Sequence, residues 1–167
     1  MRYFGTRRRL LFGAAVAALA GCGFELKRPP ELSFKTIQLA GFPNRSPLAA
    51  ELKMNIDASP TTRVVESAKD AQVVLQVLAE GREKTIVAQT AANQVREFEL
   101  RYRFRFQLRT VSGKELIQES EILLKRSLTY TETAALAKEQ EEAFLYRAMQ
   151  TDIASQVLRR LASIRVL

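Results

Sequence analysis

"FELRYRFRFQLR", residues 98–109, decides the fold, because apolar and polar side chains alternate along it without a break. Successive side chains of an extended chain point to opposite faces of a sheet, so the alternation predicts a β-strand with two unlike faces. The apolar face is made of Phe98, Leu100, Tyr102, Phe104, Phe106 and Leu108. The polar face is made of Glu99, Arg101, Arg103, Arg105, Gln107 and Arg109. We expect the apolar face to be core and the arginine-rich face to meet water or a partner, because burying four arginines without matched acids is prohibitive.

The strands around this stretch are joined to it by short turns. Residues 71–89 read as a long strand with a bulge or bend at Gly81, and residues 91–94 as the turn that follows. Ser112 and Gly113 predict a two-residue hairpin turn into a strand over 114–128. Three consecutive strands with tight turns form an antiparallel meander. Residues 34–41 and 61–67 add two further strands, the second of them at an edge.

Two helices complete the predicted elements. The first has Ser46 as N-cap and Pro47 at its first position, and it should stop before Ser59. The second covers about 132–164, with Thr129 and Glu132 as a capping box, and its first turns should project or bend because a small sheet is shorter. Its apolar stripe is Met149, Ile153, Val157, Leu161 and Ile164.

This order of elements predicts the fold class. One helix, a run of strands and a closing helix indicate an α+β two-layer sandwich. We expect a mostly antiparallel sheet of four to five strands, with both helices packed on its aromatic face. The hydrophobic content of 47% is sufficient for such a core.

The first residues have the order of a secretory signal. Arg2 and the run 7–9 precede a short apolar segment that ends in small residues before Cys22, the only cysteine. The apolar run is about half of the roughly 20 residues that a membrane-spanning helix needs. We therefore expect a signal peptide at 1–21, a tether at 22–31 and a single domain at 32–167.

The segment "LAGC", residues 19–22, resembles the lipobox of bacterial lipoproteins. The resemblance implies that Cys22 is lipidated, with a diacylglycerol on its sulfur and an acyl chain on its new amine. It also removes the difficulty of a lone thiol in a secreted domain. Residue 23 is Gly rather than the Asp of inner-membrane retention, which implies anchoring at the periplasmic face of the outer membrane.

Charge and residue types narrow the function classes. The formal net charge of +8 falls to +4 once the four arginines of the signal are removed, which weakens the case for a nucleic-acid partner. The sequence has no histidine and no glycine-rich phosphate loop, so it lacks the common catalytic triads and zinc sites. We expect no enzyme activity, no metal and no cofactor beyond the lipid on Cys22.

The arginine-rich face offers the main binding chemistry. Guanidinium groups match phosphate and carboxylate geometry, so Arg101, Arg103 and Arg105 are candidate contacts for an acidic glycolipid. Lys125 and Arg126 of the next strand are candidates to join them. The alternative is a solvated face whose arginines pair with Glu119 and Glu121.

Several segments together resemble the LptE family of lipopolysaccharide-assembly lipoproteins. They are "LAGCGFELK", "REFEL" at 96–100, "KRSLTYTE" at 125–132 and "ALAKEQEEAFLYRAMQTDIASQVLRRL" at 135–161. The resemblance implies a plug within the outer-membrane barrel LptD that assists barrel assembly and binds lipopolysaccharide in transit. It also implies a lipopolysaccharide contact at Lys138, whereas the turn "QTAANQ" lacks the family's second basic residue. A general outer-membrane scaffold that binds envelope proteins without lipid is the alternative.

Overall fold

The computed structural model describes residues 31–165. The predicted signal peptide, the lipidation site Cys22 and nearly all of the tether lie outside the described residues. Within them, five strands and two α-helices share one hydrophobic core. No helix in this part of the chain combines the length and the apolar character needed to cross a membrane.

The strands form one mixed sheet in the order β2-β1-β3-β4-β5. They are β1 (Thr36–Ala40), β2 (Arg63–Val65), β3 (Val73–Gln89), β4 (Val95–Thr110) and β5 (Glu115–Thr129). β1 runs parallel to β2 and to β3, whereas β3, β4 and β5 form the predicted antiparallel meander. The helices are α1 (Pro47–Asp57) and α2 (Ala135–Ala162). The α+β fold with a mostly antiparallel sheet is therefore confirmed.

The alternation of β4 divides the molecule into a covered and an open side. Its even-numbered side chains from Leu100 to Leu108 are fully buried, and they pack against the apolar stripes of both helices. Its odd-numbered side chains are only half-buried. The apolar stripes of the helices are made of Leu48, Leu52 and Ile56 in α1 and of Met149, Ile153, Val157 and Leu161 in α2. Both helices lie on the aromatic face, as the sequence predicts.

The ends of the two helices differ in how well the sequence predicts them. The Ser46 hydroxyl accepts a hydrogen bond from the Ala49 amide at 3.1 Å, and α1 ends at Asp57 as expected. The capping box predicted at Thr129 and Glu132 is wrong. Thr129 is the last residue of β5, a short 3₁₀ turn covers Glu132–Ala134, and α2 starts at Ala135 without a side-chain cap.

Two local predictions in the meander are corrected as well. The irregularities in β3 fall between Val77 and Ala79 and between Ile86 and Gln89, not at Gly81, which pairs in register with Arg103. The β4–β5 hairpin has a three-residue loop, since the Thr110 amide donates to the Lys114 carbonyl at 2.8 Å. Gly113, at φ 94°, supplies the left-handed residue that such a loop needs.

The length of the meander also removes the predicted projection of α2. Its 28 residues span about 42 Å, whereas strands of 15 to 17 residues span about 50–56 Å. Contacts from the first turns of α2 reach the far part of the sheet, where Lys138 Nζ donates to Thr129 Oγ1 at 3.0 Å. We call this part, where β3 joins β4 and β5 joins α2, the tip.

Candidate functional site

The open side of the sheet carries the arginine-rich surface, which we call the arginine face: Arg101, Arg103, Arg105 and Arg109 of β4 with Lys125 of β5. Acids occupy positions among these cations. Arg101 Nε donates to Glu99 Oε1 at 2.5 Å, and Lys125 Nζ lies 3.8 Å from the same oxygen. The hydrogen bond from Arg101 lowers the pKa of Glu99, outweighing the opposite effect of desolvation.

The remaining members of the arginine face have unequal environments. Arg105 forms an ion pair with Glu119, as the solvated-face alternative predicts. Arg103 differs, because its Nε atom is buried and has no hydrogen-bond partner among the described residues. Arg126 does not belong to this face, since it lies on the helix side and its Nη2 donates to Asp152 at 3.2 Å. The prediction that Arg126 could join this face was wrong, because adjacent residues of a strand point to opposite faces and Arg126 directly follows Lys125.

Lys138 lies on the other side of the sheet from the arginines. It belongs to the first turns of α2, and its side chain is 19% exposed. Its ammonium donates to Thr129 Oγ1 and, at 2.7 Å, to Glu141 Oε2. The structure therefore does not bring the four predicted lipopolysaccharide contacts together: three share the arginine face, and Lys138 stands alone behind it.

A cavity of about 120 Å³ opens beside Lys138, and we call it the tip cavity. Its walls come from β3, β4, β5, the segment after β5 and α2. Lys84 Nζ lies 2.6 Å from Glu142 Oε2 and 4.2 Å from the centroid of the Phe98 ring. The lining residues are Lys84, Phe98, Leu128, Tyr130, Ala135, Lys138, Glu139 and Glu142. The cavity thus combines two ammonium groups and two carboxylates with an aromatic and aliphatic floor.

A second depression adjoins the tip cavity through shared glutamates and is larger, at about 380 Å³. Arg82 forms part of its wall, with its guanidinium carbon 4.8 Å from the Tyr102 ring centroid and 5.2 Å from that of Tyr146. Desolvation on burial raises the pKa of both tyrosines. Both phenols donate hydrogen bonds, Tyr102 to the Glu80 carboxylate at 2.7 Å and Tyr146 to the Glu83 carbonyl at 2.7 Å.

Arg82, Lys84 and Glu142 are not among the site residues that the sequence predicts. The available signal was the loss of apolar residues along β3, where the buried Val73, Leu75 and Val77 give way to polar residues. The irregularity between Val77 and Ala79 also moves the helix side of β3 from odd-numbered to even-numbered residues. Glu80, Arg82 and Lys84 pair with Phe104, Tyr102 and Leu100, so they lie on the helix side of the sheet. A strand face that changes from apolar to charged beneath a helix indicates a polar site there.

The chemistry of the tip cavity suits an anionic amphiphile. Its ammonium groups can donate to phosphate or carboxylate oxygens, and its ring and aliphatic floor can contact apolar groups. Within residues 31–165, no three acidic side chains come together in a group that could hold a metal ion.

Comparison with known proteins identifies the family. Residues 34–161 match the family model LptE, described as lipopolysaccharide-assembly. The chain is 33% identical to uncharacterized lipoprotein B of Nitrosomonas europaea, with a TM-score of 0.72 over 84% of this chain and 91% of that one. Rare lipoprotein B of Shewanella oneidensis is 22% identical, with a TM-score of 0.65 over 77% of this chain and 95% of that one, and shows the same fold. A minor lipoprotein of Acinetobacter baumannii, 23% identical, matches with a TM-score of 0.62 over 80% and 94% of the two chains. This chain therefore belongs to the LptE family of lipopolysaccharide-assembly lipoproteins.

Proposed function

We propose that the protein is an outer-membrane lipoprotein, anchored through Cys22, that plugs an LptD-like barrel and binds lipopolysaccharide on its way to the outer leaflet. Its role is binding rather than catalysis. Family membership over residues 34–161 and the "LAGC" segment support the proposal.

The observation that carries lipopolysaccharide binding is the placement of Lys138. Its ammonium is held by Thr129 and Glu141 at the rim of a cavity with an apolar floor. A largely covered cation forms stronger bonds with phosphate oxygens than a freely solvated one, since less solvent screens it. Lipid A combines phosphates with acyl chains, which matches both parts of this cavity.

The arginine face is better suited to the wall of the barrel. Its cations alternate with acids, so it presents a mixed surface that offers donors and acceptors rather than one strongly positive field. Such a surface complements a polar protein wall. Arg103, whose Nε lacks a partner among the described residues, is the member that gains most from an acceptor supplied by the barrel.

The internal ion pairs of the arginine face also favour a second candidate, a scaffold lipoprotein that binds envelope proteins without lipid. Arg101 and Arg105 are already paired with carboxylates and need no anionic ligand. The two candidates differ in what Lys138 does, so they can be separated by measuring lipid and barrel binding on the same variants.

The test uses two charge-reversal variants of the full chain, Lys138→Glu and the pair Arg103→Glu with Arg105→Glu. We expect Lys138→Glu to weaken binding to purified lipopolysaccharide about tenfold, since one charge-assisted hydrogen bond is worth roughly 1.5–3 kcal/mol. It should still co-purify with the barrel. The arginine variant should bind lipopolysaccharide within about twofold of wild type but recover less barrel.

Three results would count against this assignment. Unchanged lipopolysaccharide binding by Lys138→Glu favours the scaffold. Loss of lipopolysaccharide binding in the arginine variant moves the glycolipid to the arginine face, as the sequence alone predicts. Recovery of the wild-type protein without any barrel, together with normal surface lipopolysaccharide after its depletion, overturns the proposed function.

A further inference from the structure

We propose that Lys84 is a second phosphate-binding cation of the tip cavity, and that Glu142 competes with the ligand for it. The inference rests on the proposed function, because it adds a cation and an internal competitor to the same glycolipid site. It predicts that removing one negative charge strengthens binding, which a purely structural ion pair would not do.

Lys84 is positioned for this role by its surroundings. It lies on β3, across the cavity from α2, and its ammonium rests over the Phe98 ring at 4.2 Å from the centroid. Phe98 is itself fixed by an edge-to-face contact with Tyr130, with ring centroids 5.3 Å apart. A cation held against an aromatic face loses less freedom when it binds a ligand than a lysine that swings in water.

Glu142 occupies the place that a ligand phosphate would take. Its Oε2 atom lies 2.6 Å from Lys84 Nζ, and the two side chains are 23% and 35% exposed. Both side chains are partly exposed, so a ligand can reach the pair and exchange one partner for another. A phosphate monoester carries a charge of about −1.5 to −2 at neutral pH, against −1 for the carboxylate, so it is the stronger partner for the ammonium.

Lys138, the other ammonium of the cavity, also forms an ion pair with a glutamate of α2, although this glutamate does not line the cavity. Lys138 bonds Glu141, three residues further along α2. Each ammonium is thus paired with a carboxylate of α2. A phosphate that reaches Lys84 would replace the carboxylate of Glu142, so the ammonium keeps an anionic partner throughout the exchange.

The experiment measures the affinity of the full mature protein, in detergent, for bis-phosphorylated lipid A and for the same lipid with its phosphates removed. Glu142→Gln keeps the shape of the side chain and releases Lys84, so we expect about fivefold tighter binding of the phosphorylated lipid. The dephosphorylated lipid should show no gain. Lys84→Met should weaken binding of the phosphorylated lipid, and Lys84→Met combined with Glu142→Gln should show no gain over Lys84→Met alone.

Asp152→Asn is the matched control. Asp152 lies on the same helix and is ion-paired with Arg126 at 3.2 Å, but it does not line the cavity. If its substitution tightens binding as much as Glu142→Gln, the effect is one of net charge and the inference is overturned. A gain that persists without Lys84 overturns it as well. Thermal unfolding of each variant establishes that the protein remains folded.

The outcomes separate this inference from the proposed function. If the wild-type protein binds neither form of lipid A, both the proposed function and the inference that rests on it are refuted. A different result refutes only the competition between Glu142 and the ligand. In that case the wild-type protein binds lipid A and Lys138→Glu weakens binding, but Glu142→Gln has the same effect as the control Asp152→Asn.

Discussion

At the scale of single residues, Gly41 shows how one position delivers a side chain to the core. It follows β1 and has φ 80°, a conformation that other residues adopt at a cost. A Cβ atom at this position would lie 2.5 Å from the Val77 carbonyl oxygen, so the chain lies close against the backbone of β3 here. The next residue, Phe42, stacks on Phe104 with ring centroids 5.9 Å apart.

The loss of stability caused by a glycine-to-alanine substitution should therefore depend on the backbone conformation and the free space at each of three positions. Gly41→Ala combines positive φ with a backbone clash, and we expect it to lower the free energy of unfolding by about 3 kcal/mol. Gly113→Ala has positive φ but open space, so about 1 kcal/mol is expected. Gly81→Ala has neither problem and should change stability by less than about 0.5 kcal/mol, or raise it. Urea unfolding measures the order, and Gly81→Ala as the most damaging change would contradict it.

At the scale of elements, a partly buried set of polar side chains joins both helices to the sheet. Glu80 of β3 accepts hydrogen bonds from the Ser46 hydroxyl at 2.8 Å and from the Tyr102 phenol at 2.7 Å. Gln150 of α2 accepts from Arg82 at 3.0 Å and donates to Glu51 of α1 at 2.6 Å. Since hydrogen bonds are directional, these contacts fix how α1 and α2 lie on the sheet, which apolar packing leaves freer.

The Ser46 hydroxyl both caps α1 and donates a hydrogen bond to Glu80, so its substitution tests how α1 is held on the sheet. Ser46→Ala removes the cap of α1 and one donor to Glu80, and we expect a loss of about 2 kcal/mol in the free energy of unfolding. Ser67→Ala is the control, because its hydroxyl accepts only the Lys69 amide of a 3₁₀ turn, at an exposed position. Its loss should stay below about 0.5 kcal/mol. Equal losses in the two variants would show that Glu80 contributes nothing to holding α1.

The predictable parts of the fold are those whose cause is local. The parity of β4 predicts its core face, and Ser46 with Pro47 predicts the start of α1, because neighbouring residues are enough to decide them. The parallel pairing of β1 with β3 depends on a crossover through α1 and β2, and no residue of β1 specifies it. The conformation of the two hairpin loops could have been predicted from the sequence. Thr90 lies three positions before Asn93, and Thr110 lies three positions before Gly113, and both Asn and Gly readily adopt the left-handed conformation seen here.

The tip cavity marks the limit of sequence reasoning about the site. The family resemblance indicates Lys138 directly from the sequence. Lys84 and Glu142 cannot be predicted in this way, because they are 58 residues apart and come into contact only through the packing of α2 on β3. Periodicity assigns Glu142 to a polar position of a helix and cannot say which strand residue it faces. The register between a helix and a sheet is set by the shapes of the packed side chains along the whole interface, such as Met149 and Ile153 against β4.

At the scale of the whole molecule, the sheet acts as a partition between two surfaces of different chemistry. One side holds the helices and the tip cavity, and the other is the arginine face. The three long strands continue past the short strands, because β1 pairs with β3 only near the start of β3 and β2 pairs with β1. The tip therefore extends beyond the five-stranded part. The proposed function uses both surfaces, with the arginine face toward the barrel wall and the tip cavity toward the glycolipid.

Site-specific photocrosslinking in cells tests this partition. A photoreactive residue at position 101, 103 or 105 should form adducts with the barrel, because these half-buried positions of β4 share the open side of the sheet. At position 138, behind the sheet, the adduct should be lipopolysaccharide. The barrel adducts should vanish in cells depleted of the barrel, and the lipopolysaccharide adduct should fall with them if the glycolipid arrives through the same complex. Identical adducts from positions 103 and 138 would mean that both sides of the sheet meet one partner, and the separation of barrel and lipid surfaces would be wrong.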